Sequence, residues 1–189
     1  YGVTVLTKAS LVLRDLDLLQ SINQKAKAVV PMTFTTYDED LCRKIEPNVS
    51  TTRERFEVLM KCKELGIPTL VWMTPILPFI NDTRENIEGL LDYCLQAGVQ
   101  GILLFDVGVT LREGDREFFY QALDRDFPGI RQKYVHTYGN AYDIPSPHAK
   151  ELMALIRNTC SANSILCSPK ECFAYLNEFP KRYVQQTLF

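Results

Sequence analysis

Polar side chains suited to holding a small zwitterionic ligand occur at three places in this chain, each at or after an apolar run. Lys8 supplies a positive charge, Thr33 and Thr35 supply hydroxyls, and Asn81 supplies an amide. In parallel α/β sheets, ligands bind outside the carboxyl ends of the strands, where loops and helix N-termini converge on one rim. Together these groups suit a ligand that carries a carboxylate and a ribose.

Each of these residues also has a purely structural interpretation. Lys8 fits a solvated surface lysine, and the threonines are β-branched residues that pack well in strands. Asn81 followed by Asp82 is typical of a turn and a helix N-cap. The ligand hypothesis therefore requires that the preceding strands be parallel neighbours, so that all these side chains share one rim.

The elements that must position them alternate between strand and helix. β-branched and aromatic runs predict strands at residues 3–7, 29–36, 67–73 and 101–105. Apolar residues at helical spacing predict the intervening helices, with caps at Thr51-x-x-Glu54, Asp82-x-x-Glu85, Gly66 and Gly98. Successive strand-helix units imply parallel strands joined by right-handed crossovers. Four strands are too few to close a barrel.

The alternation fades beyond residue 105. Residues 116–127 and 147–159 predict helices, and an aromatic, turn-rich segment at 134–142 lies between them. We expect residues 111–189 to form a helical extension packed on the same domain as residues 1–110, with a poorly ordered tail at 180–189.

Composition narrows the function classes. The net charge is -2 and there is no basic stripe, so charge gives no support to nucleic-acid binding. Prolines and threonines interrupt the longest apolar stretch, which therefore predicts no membrane span. The opening residues, from Tyr1, form a strand pattern without an initiator Met, which suggests a piece of a longer polypeptide. An exposed first strand would then favour pairing with a second copy in a homodimer.

The six cysteines predict no metal site. Cys160, Cys167 and Cys172, with His148, are the candidates for one, but their spacing does not match the CxxC hairpins that place two thiolates on one ion. Helical cysteines such as Cys62 and Cys94 are expected to pack in the core. The chain is too large to need a disulfide framework, which favours a reducing, cytoplasmic setting.

Several segments, in order, resemble the radical S-adenosylmethionine (SAM) family related to spore photoproduct lyase, also called DNA repair photolyase-like proteins. Residues 6–19 resemble the "TKS...LRDIDLL" stretch, 33–38 the "SITTxD" strand and 44–47 "xLEP". Residues 53–66 resemble "ERLxALxxLxxAGI", and 75–82 resemble "PIIPGLND", with Phe79 in place of the usual Gly. Order and spacing agree over roughly the first 110 residues.

The resemblance implies the C-terminal part of a partial (βα)6 TIM-like barrel, from the third strand onward. It also implies that the intact protein cleaves SAM reductively with a 4Fe-4S cluster, giving a 5'-deoxyadenosyl radical for a lyase or DNA-repair reaction. The cluster needs CxxxCxxC, which none of the six cysteines forms. This chain alone is therefore expected to bind neither cofactor and to be inactive. An unknown substrate and an electron donor would be its partners.

The resemblance also implies roles for individual residues. Lys8 corresponds to the lysine near the SAM carboxylate, and Thr33 to a serine near the methionyl or ribose part. Thr35 adds a hydroxyl in the same strand, and the segment from Leu77 to Asn81 corresponds to the one that packs on adenine. Two alternatives remain: radical modification of a peptide or small molecule, with a pocket lined by residues 106–110 and the aromatic segment, and a non-catalytic flavodoxin-like α/β binding module.

Overall fold

A computed structural model describes residues 1–180 of the chain. Its main sheet has four parallel strands in the order β1-β2-β3-β4, which confirms the predicted parallel α/β arrangement. The expected tail at 180–189 lies almost entirely outside the described residues. The strands are β1 (Val3–Thr4), β2 (Ala28–Phe34), β3 (Thr69–Met73), β4 (Gly101–Leu103), β5 (Gly108–Thr110) and β6 (Asp143–Pro145). A 3-10 helix (Ser10–Asp15) precedes α1 (Leu16–Lys25), α2 (Glu39–Ile45), α3 (Thr52–Glu64), α4 (Arg84–Ala97), α5 (Asp115–Asp126), α6 (Ile130–Tyr138), α7 (Ala149–Ala162) and α8 (Pro169–Asn177).

One face of the main sheet is covered by α1, α3, α4 and α7. Side chains from these helices form a single hydrophobic cluster with alternate residues of β2, including Val30, Met32 and Phe34. All seven residues of β2 are buried, because the strand is covered on both faces. A strand buried in this way has a continuous apolar sequence rather than an alternating one.

The opposite face of the sheet is covered by α8. Cys172 and Leu176 from this helix pack on Leu70 and Leu103 of the sheet. Trp72 of β3 lies on the same face, where its ring meets Phe173 edge-on with centroids 6.3 Å apart. Thr33 is the register partner of Trp72 and therefore points to this face as well.

Residues beyond β4 build a second, smaller core. The antiparallel pair β5–β6 and helices α5 and α6 enclose Leu111, Leu123 and Ile144. The rings of Phe79, Phe119, Tyr120, Tyr134 and Tyr138 meet around this core and are called the aromatic cluster. A division of the chain at residue 110 stays a prediction.

The turn-rich interpretation of residues 134–142 was wrong at its start. Residues Ile130–Tyr138 form α6, and the chain turns only at Gly139, with φ 54°. Tyr134 and Tyr138 are four residues apart, so a helix places both rings on one face, against the aromatic cluster. Burial of these rings outweighs a local sequence that carries no strong helix signal.

Helix caps follow the sequence signals in three of four cases. Gly66 lies just beyond the end of α3 in the left-handed conformation, with φ 68°. The Thr51 and Glu54 capping box begins α3, and Gly98 ends α4 in the left-handed conformation, with φ 65°. The predicted Asp82 cap was wrong, because Thr83 caps α4: its side-chain hydroxyl accepts a hydrogen bond from the backbone N–H of Asn86. The Asp82 carboxylate instead accepts a hydrogen bond from the Ser146 hydroxyl, a contact across 64 residues of sequence.

Strand β1 is the outer strand of the sheet within residues 1–180. Near its start, Phe179 lies against Gly2, where an added Cβ would come within 2.1 Å of the ring. The C-terminal segment thus covers the amino end of β1, and pairing of its free edge with a second copy stays a prediction. Among residues 1–180, none of the helices combines the length and hydropathy that a bilayer crossing requires.

Candidate functional site

Three segments that leave the carboxyl ends of neighbouring strands meet at one cavity. Lys8 follows β1, Thr35 follows β2, and Pro75 and Leu77 follow β3; all four line the cavity together with Glu46, the residue after α2. The cavity has a volume of about 330 Å³. This is the edge at which parallel α/β sheets hold their ligands.

Glu46 connects the side chains at this edge. Its Oε1 accepts a hydrogen bond from Lys8 Nζ at 2.6 Å, and its Oε2 accepts one from Thr35 Oγ1 at 2.9 Å. Arg55 Nη1 donates to the same Oε2 at 2.8 Å. Lys8, Thr35, Glu46 and Arg55 are together called the polar mouth. Two positive charges and one negative charge leave it with an excess of one positive charge, which favours an anionic group on a ligand.

The Arg55 side chain is the fully buried member of the polar mouth. Its Nε donates to Ser50 O at 2.7 Å, and its Nη1 also donates to Thr33 O at 2.9 Å. The Nη2 atom finds no hydrogen-bond partner within residues 1–180. Burying a guanidinium with an unsatisfied donor costs free energy. The hydrogen bonds that Arg55 donates to Glu46 and to Thr33 O offset part of that cost, and they fix the position of Glu46 relative to the end of β2.

Opposing influences set the protonation of Glu46. Burial of the carboxyl by itself raises its pKa, because the charged form loses water. The Lys8 hydrogen bond, the charges of Arg55 and Lys8 and the Thr35 hydrogen bond outweigh burial and hold the pKa below its usual value. Glu46 is therefore ionised at neutral pH, and Lys8 stays oriented by a charged partner.

Asn81 supports the loops of this site from behind. Its Nδ2 donates to Thr35 O at 2.7 Å, its Oδ1 accepts a hydrogen bond from Leu77 N, and its side chain is almost fully buried. Asn86 continues the support by donating from Nδ2 to Asn81 O at 2.8 Å. The Asn81 side chain thus holds the backbone of Thr35 and Leu77 in position through hydrogen bonds.

Thr33 does not face the cavity at the polar mouth. It is 6% exposed, is absent from the cavity wall and contributes its backbone carbonyl to Arg55. The structure therefore brings Lys8, Thr35 and Leu77 together at the cavity, with Asn81 and Thr33 immediately behind it.

Phe79 has a left-handed backbone, with φ 64°, at the position of the usual Gly. Glycine adopts this conformation without strain, whereas a bulky residue does not. The Phe79 ring packs edge-on against Tyr134, with centroids 5.7 Å apart, and Tyr134 OH donates to Pro78 O at 2.9 Å. The contacts of Tyr134 with the Phe79 ring and with Pro78 O therefore hold this loop in the strained conformation.

Sequence reasoning missed Glu46 and Arg55 as site residues. Glu46 lies within the segment that resembles "xLEP", which was a signal for it. Arg55 shares a helix face with Val58, Leu59 and Cys62, all buried. A charged residue in an apolar stripe signals a buried partner, but the sequence could not name that partner.

A second cavity, of about 640 Å³, adjoins the first at Pro75. Asp106, Thr110, Arg112 and Tyr142 are among its lining residues. In the wall of this cavity, Arg112 Nε donates a hydrogen bond to Tyr142 OH at 3.4 Å. The loop at residues 106–110 and the end of the aromatic segment therefore line a pocket, which is the feature that modification of a peptide or small molecule would require.

A larger cavity, of about 710 Å³, lies at the amino ends of β1 and β2. Tyr1, Leu18, Ile22 and Phe179 contribute to its mostly apolar wall. The smaller cavity at the polar mouth is the better candidate for a ligand site, because convergent charged and polar groups mark such a site better than volume does. Within the described residues 1–180, no group of three His, Cys, Asp or Glu side chains could hold a metal ion.

Comparison with curated proteins finds relatives but no matching family model. An uncharacterized protein of Mycobacterium tuberculosis is 28% identical over 151 residues, covering 80% of this chain and 44% of that protein. An uncharacterized protein of Acidianus two-tailed virus is 31% identical over 111 residues, covering 56% of this chain and 36% of that protein. The chain thus spans less than half the length of these curated relatives.

Comparison with solved structures finds spore photoproduct lyase, a radical SAM enzyme. A mutant with bound AdoMet and dinucleoside spore photoproduct gives a TM-score of 0.58 at 14% identity, covering 87% of this chain and 49% of that chain. The complex with dinucleoside spore photoproduct gives a TM-score of 0.57 at 14% identity, with the same coverage. The chain therefore has an α/β fold similar to that of a radical SAM lyase.

Proposed function

We propose that this chain forms part of the AdoMet-binding region of a radical SAM enzyme related to spore photoproduct lyase. The observation that carries the proposal is the cavity at the polar mouth. Lys8, Thr35 and Leu77 line this cavity at the carboxyl ends of parallel strands. The fold is similar to that of an enzyme solved with bound AdoMet, which supports this ligand. In the proposal, the main sheet belongs to a partial (βα)6 barrel.

The residues present fit the methionyl and nucleoside parts of AdoMet. Lys8 Nζ has three donors and uses one of them on Glu46, so others remain for a ligand carboxylate. Thr35 adds a hydroxyl, and Pro75 and Leu77 supply apolar surface for a base. A volume of about 330 Å³ lies at the lower end of the range for small-molecule pockets.

The residues of this chain do not fit an iron-sulfur cluster, because its six cysteines contain no CxxxCxxC. In the proposal, the cluster and the electron donor that reduces it act in the whole protein, and this chain alone is inactive. A cluster held by other parts of the whole protein would supply the electron for reductive cleavage of AdoMet. The part of this chain is to bind and orient AdoMet: Glu46 and Arg55 position Lys8, and Asn81 positions Thr35 and Leu77.

In the proposal, the reaction is of a lyase or DNA-repair type, which the structural likeness to spore photoproduct lyase supports. The net charge of -2 does not favour a polyanionic substrate. The second cavity favours another candidate, radical modification of a peptide or small molecule. This cavity shares Pro75 with the cavity at the polar mouth, so a substrate bound in it would lie next to the proposed AdoMet site. A reducing cytoplasm, which suits six free cysteines, is part of the proposal.

The topology counts against a flavodoxin-like binding module. Flavodoxin-like sheets have the strand order 2-1-3-4-5 and bind ligands at the switch point where the winding reverses. Here each strand lies beside its predecessor, in the order β1-β2-β3-β4, so the described sheet has no switch point.

The test uses the whole protein, reconstituted anaerobically with iron and sulfide and reduced with dithionite. We expect 5'-deoxyadenosine from AdoMet. We expect Lys8→Met to weaken AdoMet binding by about 10- to 100-fold, the equivalent of one charge-assisted hydrogen bond of about 1.5–3 kcal/mol. Lys61→Met is the matched control, because Lys61 lies on the exposed face of α3 in an ion pair with Glu64.

Two results would overturn the proposal. One is a reconstituted protein that shows the cluster spectrum but makes no 5'-deoxyadenosine. The other is a Lys8→Met protein that binds AdoMet as tightly as the wild type and the Lys61→Met control.

A further inference from the structure

The β5–β6 pair has one apolar face and one polar face, and the polar face lines the second cavity. Val109 of β5 and Ile144 of β6 pack in the smaller core. Successive side chains of a strand point to opposite faces, so Thr110 and its register partner Asp143 point away from that core. Both line the second cavity. The pair therefore supplies a polar wall on a rigid apolar support.

The wall of the second cavity carries charges of both signs. Arg112 contributes a guanidinium that uses its Nε on Tyr142 OH, so its two terminal nitrogens remain as donors. Asp143 and Asp106 contribute carboxylates, and Asp106 Oδ1 is held by a hydrogen bond from Val107 N at 2.7 Å. Among residues 1–180, none of these three charged groups takes part in a salt bridge.

An exposed aromatic ring also belongs to this cavity. Phe105 follows β4, lines the cavity and is 65% exposed. Trp72 of β3 meets the Phe105 ring edge-on, with centroids 6.2 Å apart, which limits the positions that the Phe105 ring can take. A ligand ring packed on Phe105 would remove apolar surface from water and gain from ring contacts.

Arg116 of α5 fixes the polar wall from behind. Its Nη2 donates to Leu111 O at 3.2 Å and to Ala141 O at 2.6 Å, which fastens the chain just before Tyr142 to the chain just before Arg112. Leu111 N in turn donates to Tyr142 O at 2.9 Å. The residues that present the guanidinium and the phenol are therefore held in place before any ligand binds, which lowers the entropic cost of binding.

We infer that the second cavity binds a free aromatic α-amino acid. The ligand carboxylate pairs with Arg112, the Asp106 and Asp143 carboxylates attract its ammonium group, and its ring packs on Phe105. A ligand of a single charge would leave groups of the other sign unmatched, and a residue inside a peptide carries neither charge. The cavity volume of about 640 Å³ lies within the range of small-molecule sites.

The identity of this amino acid as the substrate rests on the proposed function, because the cavity adjoins the polar mouth at Pro75. The binding itself requires neither AdoMet nor a cluster. The two proposals can therefore fail separately.

The first test is isothermal titration of the whole protein with L-phenylalanine, without AdoMet. Three analogues each lack one recognised group: phenylpropionate the ammonium, phenethylamine the carboxylate and L-alanine the ring. We expect L-phenylalanine to bind and each analogue to bind at least about 10-fold more weakly. This series needs no variant, so it remains decisive if a substitution prevents folding.

The second test locates the bound amino acid. Arg112→Gln should weaken L-phenylalanine binding by about 10- to 100-fold, the loss of a charge-assisted hydrogen bond, and Phe105→Ala by about 3- to 10-fold, the loss of a ring contact. Arg125→Gln is the matched control and should bind as the wild type, because Arg125 pairs with Asp126 on α5 and is not part of the cavity wall. Saturating AdoMet should not displace L-phenylalanine.

Several results would overturn the inference: no binding of L-phenylalanine, an analogue that binds as tightly, or binding that Arg112→Gln leaves unchanged. Displacement by AdoMet, with loss of binding in Lys8→Met, would place the amino acid in the polar mouth and overturn it as well. A protein that binds L-phenylalanine as expected but makes no 5'-deoxyadenosine would overturn the proposed function alone.

Discussion

The polar mouth and the aromatic cluster lie on either side of the segment that follows β3, and they are held together in opposite ways. The polar mouth joins charged groups around one carboxylate and leaves Arg55 Nη2 without a partner among residues 1–180. The aromatic cluster joins rings, and the hydroxyl of its buried member, Tyr134, is satisfied by Pro78 O. The hydrogen bonds of the polar mouth fix the orientations of its side chains, whereas the aromatic cluster buries a large apolar area.

This difference agrees with the proposal that the polar mouth binds a ligand, whereas the aromatic cluster contributes mainly to stability. Buried ion pairs add little net stability relative to apolar packing, but they set the positions of their members. Aromatic rings each bury a large apolar area and gain further from edge-on contacts. The segment from Pro78 to Asn81 contacts both regions, so the aromatic cluster holds in place a loop that the polar mouth uses.

The largest effect is expected from breaking the polar mouth at its buried cation. Arg55→Met removes the guanidinium that bonds Glu46, Ser50 O and Thr33 O. Loss of one member of a buried pair leaves the other uncompensated, so we expect the free energy of unfolding to fall by about 3–5 kcal/mol in urea denaturation. Arg53→Met on the same helix is the control, because both partners of its ion pair with Glu57 are exposed, and it should change stability by less than about 0.5 kcal/mol. Equal effects of the two substitutions would contradict the role given to Arg55.

A smaller loss should follow from removing the hydrogen bond that the Tyr134 hydroxyl donates to Pro78 O. Tyr134→Phe keeps the ring and its packing but leaves Pro78 O without its donor. An unsatisfied buried acceptor costs about 1–3 kcal/mol, measured as the free energy of unfolding. Tyr142→Phe, at a half-exposed ring, is the matched control and should stay within about 0.5 kcal/mol of the wild type. If Tyr134→Phe were as stable as the wild type, this hydrogen bond would contribute nothing to holding the loop.

The smallest effect is a pH dependence that only the polar mouth should show. The folded-state pKa of Glu46 is lowered from a reference value of 4.5, so its ionised form is favoured by folding. Its contribution is complete above the unfolded-state pKa and is lost as the pH falls through the lower folded-state pKa. The destabilisation by Glu46→Gln should therefore shrink between pH 7 and pH 3.

The destabilisation by Tyr134→Phe should stay constant over the same range, because tyrosine does not titrate there. Urea denaturation at several pH values measures both. A Glu46→Gln cost that is independent of pH would show that the carboxylate gains nothing from Lys8 and Arg55.

Local elements of the fold were predictable because their causes lie within a few residues. The β-branched runs, the Thr51 and Glu54 capping box and the left-handed Gly98 appear where the sequence places them. Helix α6 and the β5–β6 pair were missed, since their stability comes from rings and strand partners distant in sequence. The Asp82 cap was wrong for the same reason: Ser146 engages that carboxylate.

The sequence by itself determined the succession of strands and helices as far as β4, and with it the edge of the sheet where Lys8, Thr35 and Leu77 meet. Parallel strands in order place their carboxyl ends together whatever the side chains do. Only the tertiary structure decided that Glu46 joins Lys8 to Arg55 and that Asn81 holds Thr35 and Leu77 in position. Hydrogen bonds and ion pairs between distant residues depend on distances of a few tenths of an ångström, which sequence spacing does not define.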